Sequence, residues 1–202
     1  ALKHSRQLRK QAKGQKQFRR FNRLNRMLHA TVIISFLTLA VTGMVLKFSY
    51  LPWAQWLAHA LGGFQSAGTL HRMGALLTFF YFARHIYDAH CRRQAEGKSW
   101  KEFILGPDGM MFNQRDGEEF VQTVKWFLHK GDRPRYGRWT YWEKFDYFAV
   151  FWGVGMIGFS GLILWFPELF TYVLPGWFIN VASIIHSDEA LLATGFIFTI
   201  HF

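Results

Sequence analysis

Four histidines form two pairs whose spacing along the chain suits metal binding. His71 and His85 are 14 positions apart, and His186 and His201 are 15 apart. In an α-helix these steps turn by about −40° and +60° and rise about 21 and 22 Å, so each pair would lie on broadly one side of its helix. Neutral imidazole is a common metal ligand and an axial ligand of haem iron. The spacing predicts two stacked bis-histidine haem sites, one joining His71 to His186 and one joining His85 to His201.

A fifth histidine leaves the inner of these two sites open. His29 begins an apolar segment at the same expected depth as His85 and His201, so three histidines compete for one inner haem, or a third haem is present. A lone histidine in a membrane helix is more often a packed core residue or a proton relay. Polar groups at depth are costly, however, and histidines that match in pairs favour haem. The single cysteine, Cys91, excludes a cysteine-ligated iron–sulfur cluster and a c-type haem attachment within this sequence.

The histidines lie in apolar segments that are long enough to cross a membrane. Half of the 202 residues are apolar, yet the net charge is +11, because basic and apolar residues are segregated along the chain. About 20 helical residues cross the hydrocarbon core, and backbone groups in lipid must bond internally. We therefore expect an all-α integral membrane protein with a four-helix transmembrane bundle. The expected transmembrane helices are at about 29–50, 69–89, 147–166 and 181–202.

The polar segments predict the topology of this bundle. A basic arm covers 1–28, the first helix pair lies within 29–90, a connecting segment covers 91–146, and the second pair lies within 147–202. Since Lys and Arg concentrate in the arm and the connecting segment, both should face the cytoplasm of a prokaryotic inner membrane. Residues 117–130 read as an amphipathic helix on that surface. A nucleic-acid partner is not expected, and the apolar run that reaches the last residue suggests that the native chain continues. No internal repeat is apparent.

Charged neighbours of the proposed ligands admit two interpretations each. Arg72 and Arg84 would pair with haem propionates, or they would extend to the interface as ordinary helix-end arginines. Asp188 would orient the imidazole of His186 as an outer-shell partner, or it would stabilise a helix N-terminus. Residue type alone does not separate these roles.

The sequence resembles the cytochrome b (gamma) subunit of respiratory formate dehydrogenases, within the wider group that includes the nickel–iron hydrogenase cytochrome b. The matching stretches are RFNRLNRMLHATVIISFLTLAVTGMVLKF at 20–48, LHRMG at 70–74, RYGRWTYWEKFDYFAVFW at 135–152 and IIHSDEALLATGFIFTIHF at 184–202. The resemblance implies a four-helix anchor with two b haems. It also implies that His71 pairs with His186 and His29 with His201, whereas His85 departs from that pattern.

The resemblance further implies an electron-transfer role. The chain would pass electrons between an iron–sulfur or multihaem partner subunit and menaquinone or ubiquinone, while a separate catalytic subunit carries the substrate chemistry. The quinone site would adjoin the inner haem, with Tyr141, Lys144 and Asp146 as candidate residues. The alternatives are a haem-free membrane anchor or a small proton-coupled transporter, although transporters usually have repeated or broken helices.

Overall fold

The computed structural model of the chain describes residues 23–201, and within that range the protein is helical without any strand. Within these described residues, eight α-helices follow one another, and the last continues directly into a π-helical turn. Their bounds are α1 (Arg23–Lys47), α2 (Pro52–Ala60), α3 (Phe64–Ala95), α4 (Trp100–Leu105), α5 (Gln114–Phe127), α6 (Tyr141–Trp165), α7 (Pro167–Thr171), α8 (Trp177–Phe196) and the π-turn Ile197–His201. Residues 1–22 of the predicted basic arm at 1–28 lie outside the described residues, and its last six residues belong to α1.

The four long helices correspond to the four predicted apolar segments, but they begin earlier and α3 is much longer. α6 begins at Tyr141 because Thr140 caps its first turn in a reciprocal capping box with Glu143. The short helices α2 and α7 were not predicted. Both begin with a proline, Pro52 and Pro167, whose fixed φ and missing N–H suit the first helical position.

The long helices pack as two antiparallel pairs. α1 packs along α3, and α6 packs along α8, whereas the two pairs meet more sparsely, α1 with α8 and α3 with α6. The rings of Phe36 and Phe198 join α1 to the turn after α8, with centres 6.3 Å apart. The rings of Phe82 and Phe151 join α3 to α6, with centres 5.0 Å apart. Each long helix therefore has two neighbours, and the interior between the pairs is open.

Three of the described helices are long and apolar enough to cross a membrane: Arg23–Lys47, Tyr141–Trp165 and Trp177–His201, the last including the π-turn. The remaining predicted transmembrane helix, α3, has 32 residues but a more polar composition, with arginines and histidines spread among its apolar residues. Large apolar side chains cover the outside of the long helices, as in Ile34 (60% exposed), Phe80 (66%) and Leu192 (68%). Such an apolar exterior suits lipid better than water.

The predicted amphipathic helix is present as α5, which spans Gln114–Phe127 rather than 117–130. The side chains of Asp116 and Lys144 form a buried ion pair, 2.9 Å long and with only 6% and 4% of each side chain exposed. This pair fastens α5 to the first turn of α6. Glu119, also buried, accepts hydrogen bonds from Arg115 and from the backbone N–H of Gly137.

Candidate functional site

A cavity of about 2790 Å³ separates the two helix pairs. Sites for single small molecules usually measure about 300–1,000 Å³, so this space could hold more than one large ligand. All five candidate histidines line it: His29, His71, His85, His186 and His201. The rest of the wall is mainly apolar and aromatic, which is the environment that a flat, apolar cofactor requires.

One end of the cavity contains His71 of α3 and His186 of α8, whose ring centres lie 6.0 Å apart with the planes at 77°. Two imidazoles on opposite sides of one metal ion would have ring centres about 6.2 Å apart, given about 2 Å for each metal–nitrogen bond and about 1.1 Å from nitrogen to ring centre. The observed separation is compatible with a shared metal ion, and it is also the separation of an ordinary edge-to-face ring contact.

Hydrogen bonds fix the orientation of both imidazoles. Nδ1 of His186 lies 2.9 Å from the carbonyl oxygen of Ile157, and because a carbonyl only accepts, Nδ1 must carry the proton. Nδ1 of His71 lies 3.0 Å from the hydroxyl of Thr42, which donates its own hydrogen to the carbonyl of Thr38 and so accepts from the ring. In both residues Nε2 keeps its lone pair. This arrangement is typical of metal-binding histidines, whose other nitrogen donates to an outer-shell acceptor.

Two glycines provide the space that these rings occupy. A Cβ added to Gly161 on α6 would lie 2.9 Å from Cε1 of His186, and a Cβ added to Gly43 on α1 would lie 3.2 Å from Cε1 of His71. Each glycine follows the hydroxyl residue beside the same histidine, Ser160 and Thr42. The imidazole of His71 on α3 is thus positioned by the neighbouring helix α1, and that of His186 on α8 by the neighbouring helix α6.

At the opposite end of the cavity, His29 of α1 faces His201 after α8. Their ring centres are 6.4 Å apart and the planes are at 54°, which again matches two ligands of one metal ion. Nδ1 of His201 lies 3.3 Å from a carboxylate oxygen of Asp146. The carboxylate can therefore orient this ring as the carbonyl orients His186. Of the two histidines that the sequence left open as partners of His201, the structure brings His29 close to it, while His85 bonds to Tyr147.

His85 has a different partner. Its Nε2 lies 2.8 Å from the hydroxyl of Tyr147 on α6, a direct hydrogen bond with no room for a metal ion between the two atoms. The ring also packs edge-on against Phe151. The expected pairing of His85 with His201 is therefore not the arrangement in the structure, because the side of α3 that carries His85 faces α6 rather than α8.

The charged candidates separate into those on the cavity wall and those away from it. Arg72 lines the cavity and its guanidinium lies over the ring of Trp165, 5.6 Å from the centre. Arg84 stacks on Tyr87, and its Nη1 is buried without a hydrogen-bond partner within residues 23–201. Asp188 does not orient His186. Its carboxylate, 65% exposed, instead forms a 2.9 Å ion pair with Lys47 at the end of α1.

The three quinone candidates also separate. Asp146 lines the cavity beside His201. Lys144 is held in the buried ion pair with Asp116, and Tyr141 is buried against the rings of Phe120 and Trp142. Their side chains therefore support the fold of the connecting segment, and Asp146 is the one of the three that faces the cavity.

Sequence reasoning missed the groups that orient the histidines. These are the Thr42 hydroxyl, the Ile157 carbonyl and Ser160, together with the carboxylate of Asp146 in its role beside His201. A hydroxyl residue followed by glycine, as in Thr42–Gly43 and Ser160–Gly161, occurs beside both outer histidines. That repeated dipeptide is the signal that could have identified them.

No group of three or more His, Cys, Asp or Glu side chains in the described range could hold a metal ion. A haem iron needs only two protein ligands, because the porphyrin supplies the other four nitrogens. The histidine donors, the Nε2 lone pairs of His71 and His186, and the apolar wall all fit haem. Comparisons of the chain with protein-family models, with curated proteins and with solved structures give no match in any of the three.

Proposed function

We propose that this chain is a di-haem b-type cytochrome, the membrane subunit of an oxidoreductase complex, and that it transfers electrons between a partner subunit and quinone. One observation carries the proposal. His71 and His186 come from different helix pairs, and their ring centres are 6.0 Å apart. Both Nδ1 atoms are hydrogen-bonded, and neither Nε2 atom has a hydrogen-bond partner within residues 23–201. Because Nδ1 of each ring is hydrogen-bonded, Nε2 is the nitrogen of each that could ligate a metal ion.

A membrane location is the setting in which the fold makes physical sense. Three helices have the length and composition to span, and α3 would be the fourth. The polar residues of α3 that lower its apolar character include His71, Arg72 and His85, all of which line the cavity. Polar groups in membrane helices generally face the bundle interior or a cavity. We infer a multi-pass protein of a prokaryotic inner membrane, with the N-terminal arm and the connecting segment in the cytoplasm.

Each haem, when bound, would supply a reversible one-electron centre. The chain's own residues hold and orient it. His71 and His186 would ligate the outer haem, and His29 and His201 the inner one. Arg72, which lines the cavity, would pair with a propionate. About 13 helical residues separate His29 from the Thr42–Gly43 contact with His71, so the two sites lie about 20 Å apart along the bundle. That distance covers much of the membrane, which suits electron transfer across it.

The inner end of the cavity also has features of a quinone site. The carboxylate of Asp146 lies beside His201, and the hydrogen-bonded pair of His85 and Tyr147 packs against the aromatic ring of Phe151. A quinone ring needs an apolar slot, and its two carbonyls need hydrogen-bond donors that can exchange protons. The resemblance to formate dehydrogenase and hydrogenase cytochrome b subunits names the expected pool, menaquinone or ubiquinone. It also names the expected partners, an iron–sulfur or multihaem subunit and a catalytic subunit.

The test is a haem count on the purified chain and its variants. Wild type is expected to contain two b-type haems with a reducible spectrum, and His71→Ala and His186→Ala should each leave one. His59→Ala is the matched control, because His59 does not line the cavity. A folded, colourless wild-type protein would refute the proposal in favour of a haem-free anchor or a proton-coupled transporter.

A further inference from the structure

The first helix of each pair carries the same short pattern. Residues 42–48 read TGMVLKF and residues 160–166 read SGLILWF, at a constant offset of 118. The same offset relates the ends of the two helices, Lys47 and Trp165. Both patterns are followed by a short helix that begins with proline, at 52 and 167.

The second helix of each pair carries a second pattern. Residues 67–77 read AGTLHRMGALL and residues 182–192 read ASIIHSDEALL, so that both contain an alanine four positions before the histidine and ALL four positions after it. Ala67 and Ala182 are both fully buried. Five of these 11 positions are identical.

Corresponding residues make corresponding contacts. Thr42 and Ser160 contact Nδ1 of His71 and His186, and the carbonyl groups of Leu39 and Ile157, again 118 apart, lie beside the same two rings. Gly43 and Gly161 leave space for the same two Cε1 atoms. Val45 and Ile163, three residues after the hydroxyl residue in each copy, are both at most 1% exposed.

The correspondence extends to the inner level. An offset of 118 relates His29 to Tyr147. On the second helix of each pair, His71 is aligned with His186. The π-turn at 197–201 holds one residue more than an α-helical turn, and with that extra residue skipped His201 corresponds to His85. The structure joins these four residues crosswise, His29 to His201 and Tyr147 to His85. If the two helix pairs are superposed on each other, the pair His29–His201 therefore falls on the pair Tyr147–His85. The pair His71–His186 falls on itself.

We propose that the chain consists of two copies of one haem-binding helix hairpin, and that Tyr147 determines the number of haems by closing a third site. This inference rests on the proposed function, since it assumes that His29 and His201 ligate haem. The duplicated framework provides two inner sites, and the site between α3 and α6 lacks one imidazole. The ring centres of His85 and Tyr147 are 5.6 Å apart, only slightly less than the spacing of the two histidine pairs.

Tyr147→His tests the proposal by restoring the missing ligand. We expect the purified variant to contain three haems per chain instead of two, and His85→Ala in the same background to return the count to two. Tyr147→Phe, the matched control, should keep two haems. A folded Tyr147→His variant with two haems and an unchanged spectrum would overturn the proposal. If wild type contains no haem, the proposed function itself fails, which is a distinguishable result.

A second measurement serves if Tyr147→His does not fold. Thr42→Ala and Ser160→Ala each remove a hydroxyl beside a proposed ligand of the same outer haem. An acceptor at Nδ1 makes the imidazole a stronger electron donor to iron. Both variants should therefore shift the midpoint potential of the outer haem upward and leave the inner haem unchanged, and Thr42→Ser and Ser160→Thr should restore it. Opposite shifts, or a shift in different haems, would show that the two positions are not equivalent.

Discussion

Replacing Gly161 by alanine should weaken haem binding at the proposed outer site, because the added methyl group meets the imidazole of His186. The new Cβ would lie 2.9 Å from Cε1 and 3.2 Å from Nδ1 of that ring. Ordinary carbon contacts begin near 3.4 Å, so the ring must move by about 0.5 Å. Metal sites tolerate about 0.2 Å in ligand position. The ring is also bonded to the Ile157 carbonyl on the same helix as Gly161, which limits the direction in which it can move.

The expected cost follows from these contacts. Overpacking of this kind typically costs about 1–3 kcal/mol. If that cost falls on the haem-bound state, the dissociation constant of the outer haem rises about 5- to 150-fold. Haem titration of the apoprotein, followed by the b-type absorbance, measures this constant directly. Gly155→Ala is the matched control on the same helix, since a Cβ there meets no atom within 4 Å. Outer-haem affinity equal to wild type in folded Gly161→Ala protein would refute the assigned role of this glycine.

Further predictions concern the inner site, the other glycine and the buried ion pair. His201→Ala should lose one haem whereas His85→Ala should keep both, as counted by the pyridine haemochrome method. A haem lost in His85→Ala would instead identify that residue as a ligand. Gly43→Ala should weaken the outer haem less than Gly161→Ala does, because its Cβ contact with the histidine ring is 3.2 Å rather than 2.9 Å. Lys144→Met should destabilise the protein by about 3–5 kcal/mol, since it leaves the buried Asp116 carboxylate without its partner. Thermal unfolding in detergent measures this loss, and the double variant Lys144→Met with Asp116→Asn should recover a large part of it. A Lys144→Met variant as stable as wild type would contradict this prediction.

The sequence predicted which helices carry the histidines, because periodicity along one helix fixes rotation and rise. His71 and His186 could be assigned to the same depth from the order of the apolar segments alone. The choice between His29 and His85 could not be made in this way. It depends on which helix lies next to α8, and only the packing of α1 there brings His29 opposite His201.

The groups around the ligands were also beyond sequence reasoning. Asp188 lies two residues after His186, yet its carboxylate forms an ion pair with Lys47 on another helix. The carbonyl of Ile157 contributes through its backbone, so residue type gives no signal for it. By charge and position, Lys144 was a reasonable candidate for the quinone site. Its side chain is buried against Asp116 because α5 packs on the first turn of α6. That packing is a tertiary contact, which the local sequence pattern does not predict.

Electron paramagnetic resonance of the oxidised wild-type protein tests the central claim most directly, because it reports both axial ligands of each iron. The ring planes cross at 77° for His71 and His186 and at 54° for His29 and His201. Two imidazoles per iron predict low-spin ferric signals, and crossed planes predict strongly anisotropic ones. The account predicts two such signals, one of which disappears in His186→Ala. A high-spin ferric signal, which indicates a missing axial ligand, or the absence of any haem signal from folded protein would contradict it.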